Sequence, residues 1–589
     1  MTPTLYVLCF EISTASDRAL CKLAHFLGVQ TQLILLGGNL TESPPALLTA
    51  ASEWKILALG SLTLRQIFQL KWFADLLDES HFVFVYGFKP SDVESPELKW
   101  LTSGVLSSVI ALGTESKQFA VASDVKFCGF PVSGRSYSVE SVPAAAFSAM
   151  PPGSSIESYI TVNGHPHFVG FARGRSVLFL LAEPELVDID KVLSPDMPLQ
   201  PWYAQLIAGT IFLRSAFGDW CWTSPFTTAS LVIDDPYLKP KYGFLHYETL
   251  LRELRWMGGA LTIAFIPNNY RRSNPQTIEL LRSCSDLFSI GVHGCDHTRQ
   301  EFASLDEASL VSTTSRALQR MESHKERTQM PFDNIMIFPQ GKFSTKAIRA
   351  LKACGFHAAA NSTPWPVDYR ENPLTLRDRL DVAMTRYECF PIFVRRYPRD
   401  VFDYAFDALF QKPVLAQEHH VFFRDGYKVL AKLVDEITSF GSNVQWMPLG
   451  RAVTSSCMFK RVGKNEFALR HFSQVFKFTN PTTANALFSV EKPEQEGLVE
   501  AVLLDGRKIP FEFDSNLLKY SVHLQPGNEL NVTIVYGQRV RSSRSLSWMD
   551  HFTVMGRRAA SEFRDNYLSR NNGMLVFVQN IMKLLRLRD

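Results

Sequence analysis

Two histidines stand four residues apart in the segment SIGVHGCDHT, where His293 ends an apolar run and His297 follows it. Imidazoles are common ligands of Zn²⁺ and similar cations, and side chains four residues apart face the same side of a helical turn. Such a pair is more often two unrelated histidines than a metal site. A metal site therefore requires a third ligand from another part of the chain.

Two adjacent carboxylates are candidates for that third ligand. Asp234 and Asp235 follow a buried, strand-like run in the segment LVIDDPYL. Because neighbouring side chains in an extended chain point in opposite directions, one carboxylate can bind a metal while the other faces a bound water. Asp-Asp-Pro is also a frequent turn or helix-start pattern, so the segment alone has a structural interpretation as well.

Two further segments place polar residues at the ends of predicted strands. The segment IMIFPQGKFS contains a tight turn from Pro339 to Gly341, and PVLAQEHHVFF contains His419 and His420. Two histidines and one aspartate bind a cation and leave a position for water, whose pKa falls towards about 7. With a free carboxylate as general base and a histidine as general acid, this set predicts metal-assisted hydrolysis of an acyl bond.

In this order the motifs resemble the polysaccharide deacetylase family, carbohydrate esterase family 4, over roughly residues 225–450. The resemblance implies a metal-dependent hydrolase that removes N-acetyl or O-acetyl groups from carbohydrates, with zinc as the preferred cation and Co, Ni, Mn or Fe as alternatives. It implies a base, three metal ligands and a late acid: Asp234; Asp235, His293 and His297; and His419 or His420. We prefer His419 as the acid, because it continues the strand directly.

The sequence departs from the family pattern at two places. Gly294 stands after the first histidine, where the family usually has Ser or Thr, and Ile337 and Phe338 stand where an Arg often orients the base. Arg395 and Arg396, in the segment FPIFVRRYP, can supply that positive charge from another strand end.

Candidates for substrate binding lie around the same predicted strand ends: Pro339, Gly341, Trp365 and Arg395. Trp365, in NSTPWPVDYR, either walls a sugar-binding groove or packs in the core, and the sequence favours neither interpretation. Cys295 lies between the two histidines and fits a packing role better than that of a metal ligand.

The elements that must position these residues lie between about 200 and 456. Strand-like and helix-like runs alternate there, which is typical of a distorted (β/α) barrel of parallel strands. The strand candidates are ASLVIDD, ALTIAFIP, DLFSIGVHG, NIMIFPQG, FHAAANS and PVLAQEHH. Loops after the carboxyl ends of such strands form the active site of a barrel, so the fold would bring the carboxylates and histidines together.

Residues 1–190 predict a separate, doubly wound α/β domain of the flavodoxin-like or amidotransferase-like class. This segment has no GxGxxG or P-loop and no nucleophile elbow, so nothing in it predicts nucleotide binding or a catalytic triad. Its end predicts antiparallel strands joined by a type I′ turn at Asn163 and Gly164. His165 and His167 beside that turn fit alternating strand positions better than a metal site.

Residues 457–537 alternate apolar and polar side chains with a period of two. Asp505-Gly506 and Pro526-Gly527 mark turns between the runs. The pattern predicts a small antiparallel β-sandwich, which either binds carbohydrate or braces the barrel.

Residues 538–589 predict a basic helical tail in a chain whose formal net charge is only +3. From 537 to 589 there are ten Arg and Lys against four Asp and Glu. The last helix, at 574–588, either docks on the protein, which we favour, or makes peripheral contact with an anionic membrane surface.

Length and composition are those of a multidomain globular protein of the α/β class, with 589 residues of which 46% are hydrophobic. The nine cysteines are dispersed without a CxxC pair, which indicates a reducing compartment rather than a disulfide scaffold. The first residues lack a signal-peptide pattern, and no apolar run is long enough to span a membrane. We therefore expect a cytoplasmic protein that acts on a carbohydrate or glycan precursor and has no nucleic-acid partner.

Two other functions fit parts of the sequence. One is a catalytically weak or inactive deacetylase-like barrel that binds glycans or serves as a scaffold in polysaccharide biosynthesis. The missing motif Arg favours this alternative, whereas the intact pair of Asp234 and Asp235 argues against it. The other is a metal hydrolase acting on an amide that is not part of a sugar.

Overall fold

The structure is a computed structural model that describes residues 2–37, 48, 55–91, 93–123, 130–140, 142–148, 154–537, 540 and 548–567. The chain forms two compact units. The first comprises Met1–Ser224, Pro373–Leu380 and Met458–Leu469, and the second comprises Pro225–Asn372, Asp381–Cys457 and Arg470–Asp589. Both units combine helices with sheets, as the α/β prediction requires, while the division into four segments stays a prediction.

The first unit is built on a nine-stranded mixed sheet with strand order β2-β1-β3-β4-β11-β10-β9-β6-β7. β2, β1, β3, β4 and β11 run parallel, and the remaining strands are antiparallel. Its strands and the separate pair β5-β8 are β1 (Thr4–Cys9), β2 (Gln30–Leu35), β3 (Ile56–Gly60), β4 (Phe82–Tyr86), β5 (Val109–Leu112), β6 (Lys117–Val121), β7 (Ser136–Val139), β8 (Ala144–Phe147), β9 (Glu157–Val162), β10 (His165–Arg173) and β11 (Ser176–Leu181). The helices are Ala15–Phe26, Ser61–Ile67, Lys71–Glu79, Pro96–Leu101, Tyr203–Phe217 and Leu376–Leu380.

The predicted hairpin in this unit is present between β9 and β10. Its two turn residues both have positive φ, 48° at Asn163 and 81° at Gly164, as a type I′ turn requires. His167 is fully buried, and its Nδ1 lies 2.7 Å from the carbonyl oxygen of Ala145. His167 therefore has the structural role expected from the strand pattern.

The second unit contains a barrel of parallel strands in the order β19-β18-β17-β16-β15-β12-β20. The residues after β19 bridge to β20 at Arg396 and Ala416, and β21 pairs with the start of β12. The barrel strands and one small hairpin are β12 (Thr227–Asp234), β13 (Lys241–Tyr242), β14 (Leu245–His246), β15 (Leu261–Phe265), β16 (Phe288–His293), β17 (Asp333–Ile337), β18 (Ala358–Asn361), β19 (Ile392–Val394), β20 (Val414–His419) and β21 (Val444–Trp446). The prediction of a distorted (β/α) barrel is confirmed.

Helices alternate with these strands, and local side chains fix where they begin and end. They are Tyr247–Met257, Pro275–Arg282, Glu307–Thr328, Thr345–Cys354, Val401–Leu409, Lys428–Thr438 and Leu449–Ser455. Asn274 and Ser344 cap two of them by accepting a hydrogen bond from a backbone N–H of the first turn. Gly355 ends the helix that Ser344 caps, and Gly258 ends the helix Tyr247–Met257, both in the left-handed conformation.

The region after the barrel is an antiparallel sandwich, as the period-two pattern predicted. In the second unit, β24-β30-β26-β27 form one sheet, and β25, β29 and β28 pair in the other. The strands of this sandwich in the second unit are β24 (Val475–Thr479), β25 (Ala486–Pro493), β26 (Val499–Leu504), β27 (Arg507–Ile509), β28 (Glu512–Asp514), β29 (Leu517–Leu524) and β30 (Glu529–Tyr536). The two preceding strands, β22 (Cys457–Gly463) and β23 (Glu466–His471), lie mostly in the first unit. Asp505 and Gly506 form the predicted turn, both with positive φ.

One further helix, Trp548–Asn566, follows the sandwich. The apolar helix predicted at 574–588, with its docking or membrane interpretation, lies outside the described residues. No helix in the described part of the chain is long and apolar enough to cross a membrane. The eight cysteines that the structure describes are all free.

Candidate active site

The candidate site lies at the carboxyl ends of neighbouring barrel strands. Asp234 is the last residue of β12, His293 is the last residue of β16, and His419 is the last residue of β20. Parallel strands present their carboxyl ends at the same edge of the barrel, which is why residues distant in sequence meet there. The positions predicted from the sequence are therefore brought together by the fold.

Asp235, His293 and His297 form a cluster with the composition of a three-ligand metal site. Asp235 Oδ1 lies 3.5 Å from His293 Nε2 and 3.1 Å from His297 Nε2. One donor atom from each residue lies within 4.8 Å of the other two. Asp235 Oδ1 is buried and has no hydrogen-bond partner among the described residues, so it has the unused valence that a cation would satisfy. The donor set fits Zn²⁺ or a similar divalent ion.

The backbone around β17 fixes the tautomer of one of these histidines. His293 Nδ1 lies 3.0 Å from the carbonyl oxygen of Ile337, the residue opposite it in the ladder. A nitrogen that faces a carbonyl oxygen carries the hydrogen, so the lone pair of His293 is on Nε2, the atom that faces Asp235. The register between β16 and β17 shifts beside Val292, an irregularity of the kind that redirects side chains near active sites.

The two histidines do not lie on a helical turn, so the geometry assumed from their spacing is wrong. His293 ends a strand, and His297 follows in an irregular loop with φ of 55°. Their rings nevertheless approach to 4.9 Å between centroids. Asp235 also has a positive φ, 82°, and non-glycine residues in this conformation concentrate at functional sites.

Glu301 holds this loop in place and was not found from the sequence. Its Oε1 accepts hydrogen bonds from the backbone N–H groups of Cys295 at 2.8 Å and His297 at 3.2 Å. Its Oε2 accepts one from the N–H of Asp296 at 3.1 Å. No motif marks an acid four residues after the second histidine, so only the folded loop identifies this residue.

Glu301 also accounts for the glycine in the histidine motif. Gly294 has φ of 63°, and a Cβ atom there would lie 2.1 Å from Glu301 Oε1 and 2.4 Å from Pro339 Cγ. Ser or Thr, which the family usually has at this position, would not fit. The loop of the candidate metal site and the turn at Pro339 are therefore packed against each other.

The remaining residues between the two histidines are structural. Cys295 is fully buried, and burial raises the pKa of its thiol to about 12. Asp296 accepts hydrogen bonds from Arg316 at 3.1 Å and Arg320 at 2.6 Å on the helix Glu307–Thr328. These contacts fasten the loop to the helix and agree with the packing role expected for Cys295.

Asp234 is buried beside the cluster and is held by two donors. Arg395 Nη1 donates to its Oδ1 at 2.8 Å and Nη2 to its Oδ2 at 3.3 Å, while Gln417 Nε2 donates to Oδ2 at 3.3 Å. Burial raises the pKa of Asp234, but the positive charge of Arg395 and its hydrogen bonds oppose this effect, and the pKa lies below its ordinary value. Asp234 is therefore oriented and ionised.

Arg395, one of the two residues predicted to supply the missing positive charge, lies against Asp234. Its side chain is 1% exposed, and both terminal nitrogens point to Asp234. Direct contact of Arg395 with the substrate, which was also predicted, stays a prediction. Arg396, its neighbour, instead pairs with Asp407 on the following helix.

The structure separates the two late histidines. His419 lies opposite Asp234 in the ladder between β12 and β20, and its charge contributes to lowering the pKa of Asp234. His420 turns away and pairs with Asp565 at 3.7 Å, against the ring of Phe244. The geometry thus agrees with the preference for His419 as the residue beside the carboxylate.

No protein-family model matches the sequence, and no curated protein matches it either. The structure is similar to several solved structures of carbohydrate deacetylases. One is Agd3, a novel carbohydrate deacetylase, at 9% identity and a TM-score of 0.47, with 90% of this chain and 98% of that chain covered. Another is a putative polysaccharide deacetylase from Mycobacterium smegmatis, at 15% identity and a TM-score of 0.27, with 39% and 89% covered.

A third similar structure is a CE4 family pseudoenzyme from Bacillus anthracis, at 10% identity and a TM-score of 0.23, covering 39% of this chain and 66% of that chain. The solved structures therefore include a protein described as a pseudoenzyme beside ones described as deacetylases. Any activity of this chain has to be argued from its own side chains.

The predicted Pro-Gly turn adjoins the cluster. Pro339–Gly341 forms a single turn in which Gly341 has φ of 68°, and Asn361 Nδ2 donates to the Gly341 carbonyl oxygen at 3.0 Å. Trp365 is half-buried and meets Tyr369 edge to face at 6.0 Å. Both interpretations of Trp365 therefore stay open.

Tyr397 is an aromatic residue at the site that the sequence did not single out. Its ring stacks on His419, with centroids 6.3 Å apart and planes within 11°, and 38% of the residue is exposed. Gln417 Nε2 donates to its hydroxyl at 3.0 Å, so Gln417 links Tyr397 to Asp234. An exposed ring beside the ionised carboxylate is a surface on which a sugar can pack.

Proposed function

We propose that this protein is a metal-dependent hydrolase that removes an acetyl group from a carbohydrate or glycan precursor. The observation that carries the proposal is the convergence of Asp235, His293 and His297 next to the oriented carboxylate of Asp234. Three donors with one unsatisfied carboxylate oxygen, beside an independent ionised acid, form the set that hydrolysis of an acyl bond requires.

Asp235, His293 and His297 would hold the cation. A divalent ion bound by two imidazoles and one carboxylate polarises a carbonyl and lowers the pKa of water, and these are the contributions the reaction needs. The hydrogen bond from His293 Nδ1 to the carbonyl oxygen of Ile337 keeps the first histidine in position. The hydrogen bonds that Glu301 accepts from the backbone of the loop keep His297 in position.

Asp234 is the proposed general base. Its carboxylate is ionised, because the charge and hydrogen bonds of Arg395 oppose the burial that raises the pKa, which lies below its ordinary value. Arg395 and Gln417 fix the two oxygens, so one orientation is available for accepting a proton from the attacking water. The adjacent Asp235, whose backbone φ is 82°, instead directs its carboxylate to His293 and His297.

His419 is the proposed general acid. It faces Asp234 across the ladder, and the ring of Tyr397 stacks on one side of it. From this position it would donate a proton to the nitrogen or oxygen that leaves with the sugar. Base and acid are then carried by neighbouring strands of one rigid barrel, which sets their separation before the substrate arrives.

The carbohydrate substrate is inferred from the family resemblance and from the aromatic surface at the site. Tyr397 exposes its ring next to the proposed acid, and Trp365 follows β18 on the same edge of the barrel. The alternative of an inactive glycan-binding barrel relied on the missing motif Arg. Arg395 supplies that charge to Asp234, so the alternative has lost the observation that favoured it.

The proposal is tested by assaying acetate release from N-acetylated and O-acetylated oligosaccharides with zinc-loaded protein. Asp234→Asn should abolish release while the protein keeps its metal, and His419→Ala should reduce it strongly. Asp286→Asn, at an exposed carboxylate, is the matched control and should behave as wild type. Undiminished release by Asp234→Asn would refute the role of the base, and release from simple amides but not sugars would refute the substrate class.

A further inference from the structure

The helix Trp548–Asn566 packs against loops at the carboxyl end of the barrel, next to the candidate site. Asp565 accepts a hydrogen bond from the Tyr242 hydroxyl at 2.6 Å, and Asn566 Oδ1 accepts one from the N–H of Gly243 at 2.9 Å. Both partners belong to the segment that follows Asp234 and Asp235. The helix is therefore part of the wall of the site.

Both acids of this helix whose side chains are described are already neutralised. Glu562 pairs with Lys239 at 2.8 Å and with Arg272 at 2.6 Å. Asp565 pairs with Arg564 at 2.7 Å and with His420 at 3.7 Å. Neither of these two carboxylates is therefore free to pair with another cation.

Arg558, on the same helix, is a cation that these two carboxylates do not neutralise. It is 5% exposed, and its Nε and Nη2 are buried without a hydrogen-bond partner in the part of the chain that the structure describes. No carboxylate of the described residues pairs with it, and its guanidinium lies 5.5 Å from the centroid of the Tyr237 ring. Two buried N–H groups of a charged guanidinium without an acceptor are unfavourable, so they favour an additional group that accepts hydrogen bonds from both nitrogens.

The position of Arg558 points to the chemistry of that group. Tyr237 lies two residues after Asp235 in the loop that follows β12. The helix that carries Arg558 contacts Tyr242 and Gly243, further along the same segment, through Asp565 and Asn566. Asp234 is paired with Arg395, and a divalent ion held by Asp235 would add further positive charge to this side of the site.

The two unpartnered nitrogens share one edge of the guanidinium. This edge presents two parallel N–H groups, and its spacing matches the two oxygens of a carboxylate or of a phosphate. The Tyr237 ring, whose centroid lies 5.5 Å from the guanidinium carbon, leaves both of these nitrogens without a hydrogen-bond partner among the described residues. The ligand implied is therefore an anion with two adjacent oxygens.

We propose that Arg558 binds a carboxylate or phosphate group carried by the substrate, so that the enzyme acts on an anionic rather than a neutral acetylated sugar. This inference rests on the proposed function, since it assigns the substrate class of the same site. Both nitrogens are shielded from solvent in the structure, so the helix Trp548–Asn566 has to shift to admit the anion and then closes over it.

The test is a binding measurement that needs no turnover. Isothermal titration compares N-acetylglucosamine 6-phosphate with neutral N-acetylglucosamine, using the full chain as wild type, Arg558→Gln and Arg558→Lys. We expect the wild type to bind the phosphorylated sugar about 10- to 100-fold more tightly than the neutral one, the range for a charge-assisted pair. Arg558→Gln should remove this difference, and Arg558→Lys should keep only part of it, because lysine lacks the two-pronged edge.

Arg557→Gln is the matched control, because it removes the same charge from the exposed neighbouring position. It should retain the preference for the phosphorylated sugar. Equal preference in Arg558→Gln and wild type would overturn the proposal. So would a loss of affinity for free acetate as large as that for the phosphorylated sugar, since Arg558 would then recognise the product.

The same titrations with His293→Ala separate this proposal from the proposed function. If His293→Ala keeps the preference that depends on Arg558, and the wild type releases no acetate from any sugar, the result supports the anion site and refutes the hydrolase. Amide hydrogen exchange over residues 552–566 gives a second readout. Slower exchange with the phosphorylated sugar in wild type, but not in Arg558→Gln, is expected if the helix closes over the anion, and unchanged exchange in both would contradict that closure.

Discussion

The guanidinium of Arg395 donates to both carboxylate oxygens of Asp234, at 2.8 and 3.3 Å, from a strand end 161 residues further along the chain. In the family that the motifs resemble, an Arg just before the Pro loop often orients the base. In this chain Ile337 and Phe338 occupy that position, and the positive charge is supplied by Arg395, which directly follows β19. Arg395 therefore brings a positive charge to this carboxylate from a different place in the sequence.

Replacing Arg395 should therefore impair catalysis rather than binding. Arg395→Met leaves the buried carboxylate of Asp234 without its charged partner, and we expect kcat to fall by about 100-fold with KM little changed. Arg395→Lys keeps the charge but loses the paired geometry, so a smaller fall of about 10-fold is expected. Steady-state kinetics of acetate release measure both.

Arg282→Met, which removes an exposed charge, is the control for Arg395 and should leave kcat and KM unchanged. Metal content should stay at the wild-type level in all three variants. If Arg395→Met raised KM and left kcat intact, Arg395 would be a substrate-binding residue, as was also predicted from the sequence.

Gly294 should tolerate no side chain, since its Cβ would lie 2.1 Å from Glu301 Oε1 at a backbone φ of 63°. We expect Gly294→Ala to lower the free energy of unfolding by about 3 kcal/mol and to weaken metal binding, because the loop that carries His297 has to move. Urea denaturation and elemental analysis measure the two effects.

Gly258→Ala separates crowding from backbone conformation. Gly258 has a similar φ of 70°, but a Cβ atom added there would have no neighbour within 4 Å. Gly258→Ala should lower the free energy of unfolding by only about 1 kcal/mol, the penalty of a positive φ for alanine, and should leave metal binding intact. Equal losses in the two variants would show that Glu301 and Pro339 do not restrict position 294.

The motif residues of the site could be predicted because each follows a strand whose apolar run is visible in the sequence. The spacing of His293 and His297 predicted their convergence, but the helical turn invoked for it was wrong, since the second histidine lies in a loop shaped by Glu301. Arg395 was one of two candidates. Which one reaches Asp234 depends on the direction of side chains at a strand end, and Arg396 turns to Asp407 instead.

Other parts of the site could not be predicted because they depend on contacts between distant segments. Gln417 and Tyr397 meet only when β20 and the end of β19 lie side by side. Arg558 reaches the site because the helix Trp548–Asn566 packs on the barrel, and no sequence pattern specifies where a basic helix docks. In the first unit the parallel half of the sheet and the hairpin were predicted, but their union in one mixed sheet was not.

Asp333 lies at the start of β17, at the end of that strand that is farther from the site. Its carboxyl group should make the free energy of unfolding depend on pH. Burial raises the pKa of its carboxyl from 3.8 to about 6. Between about pH 4 and pH 6 the folded chain keeps a proton that the unfolded chain loses, so this group's contribution to stability declines as the pH rises through that interval. A shift of this size corresponds to at most about 3 kcal/mol.

Asp333→Asn should remove that decline. Ser289 and the N–H of Gly450 both donate to the same oxygen, Oδ2, so an asparagine carbonyl can keep both hydrogen bonds. We expect the variant to be about 1 to 3 kcal/mol more stable than wild type at pH 7.5 and no more stable at pH 4, by urea denaturation at each pH. A stability difference that is the same at both pH values would show that Asp333 is ionised throughout.

The metal content of the purified protein tests the central claim most directly. We would measure Zn, Co, Ni, Mn and Fe in wild type, His293→Ala and His523→Ala, the last removing an exposed histidine of the sandwich. The account predicts about one divalent ion per chain in wild type and His523→Ala, and a large loss in His293→Ala. No bound ion in wild type after incubation with Zn²⁺, or an ion retained in full by His293→Ala, would contradict it.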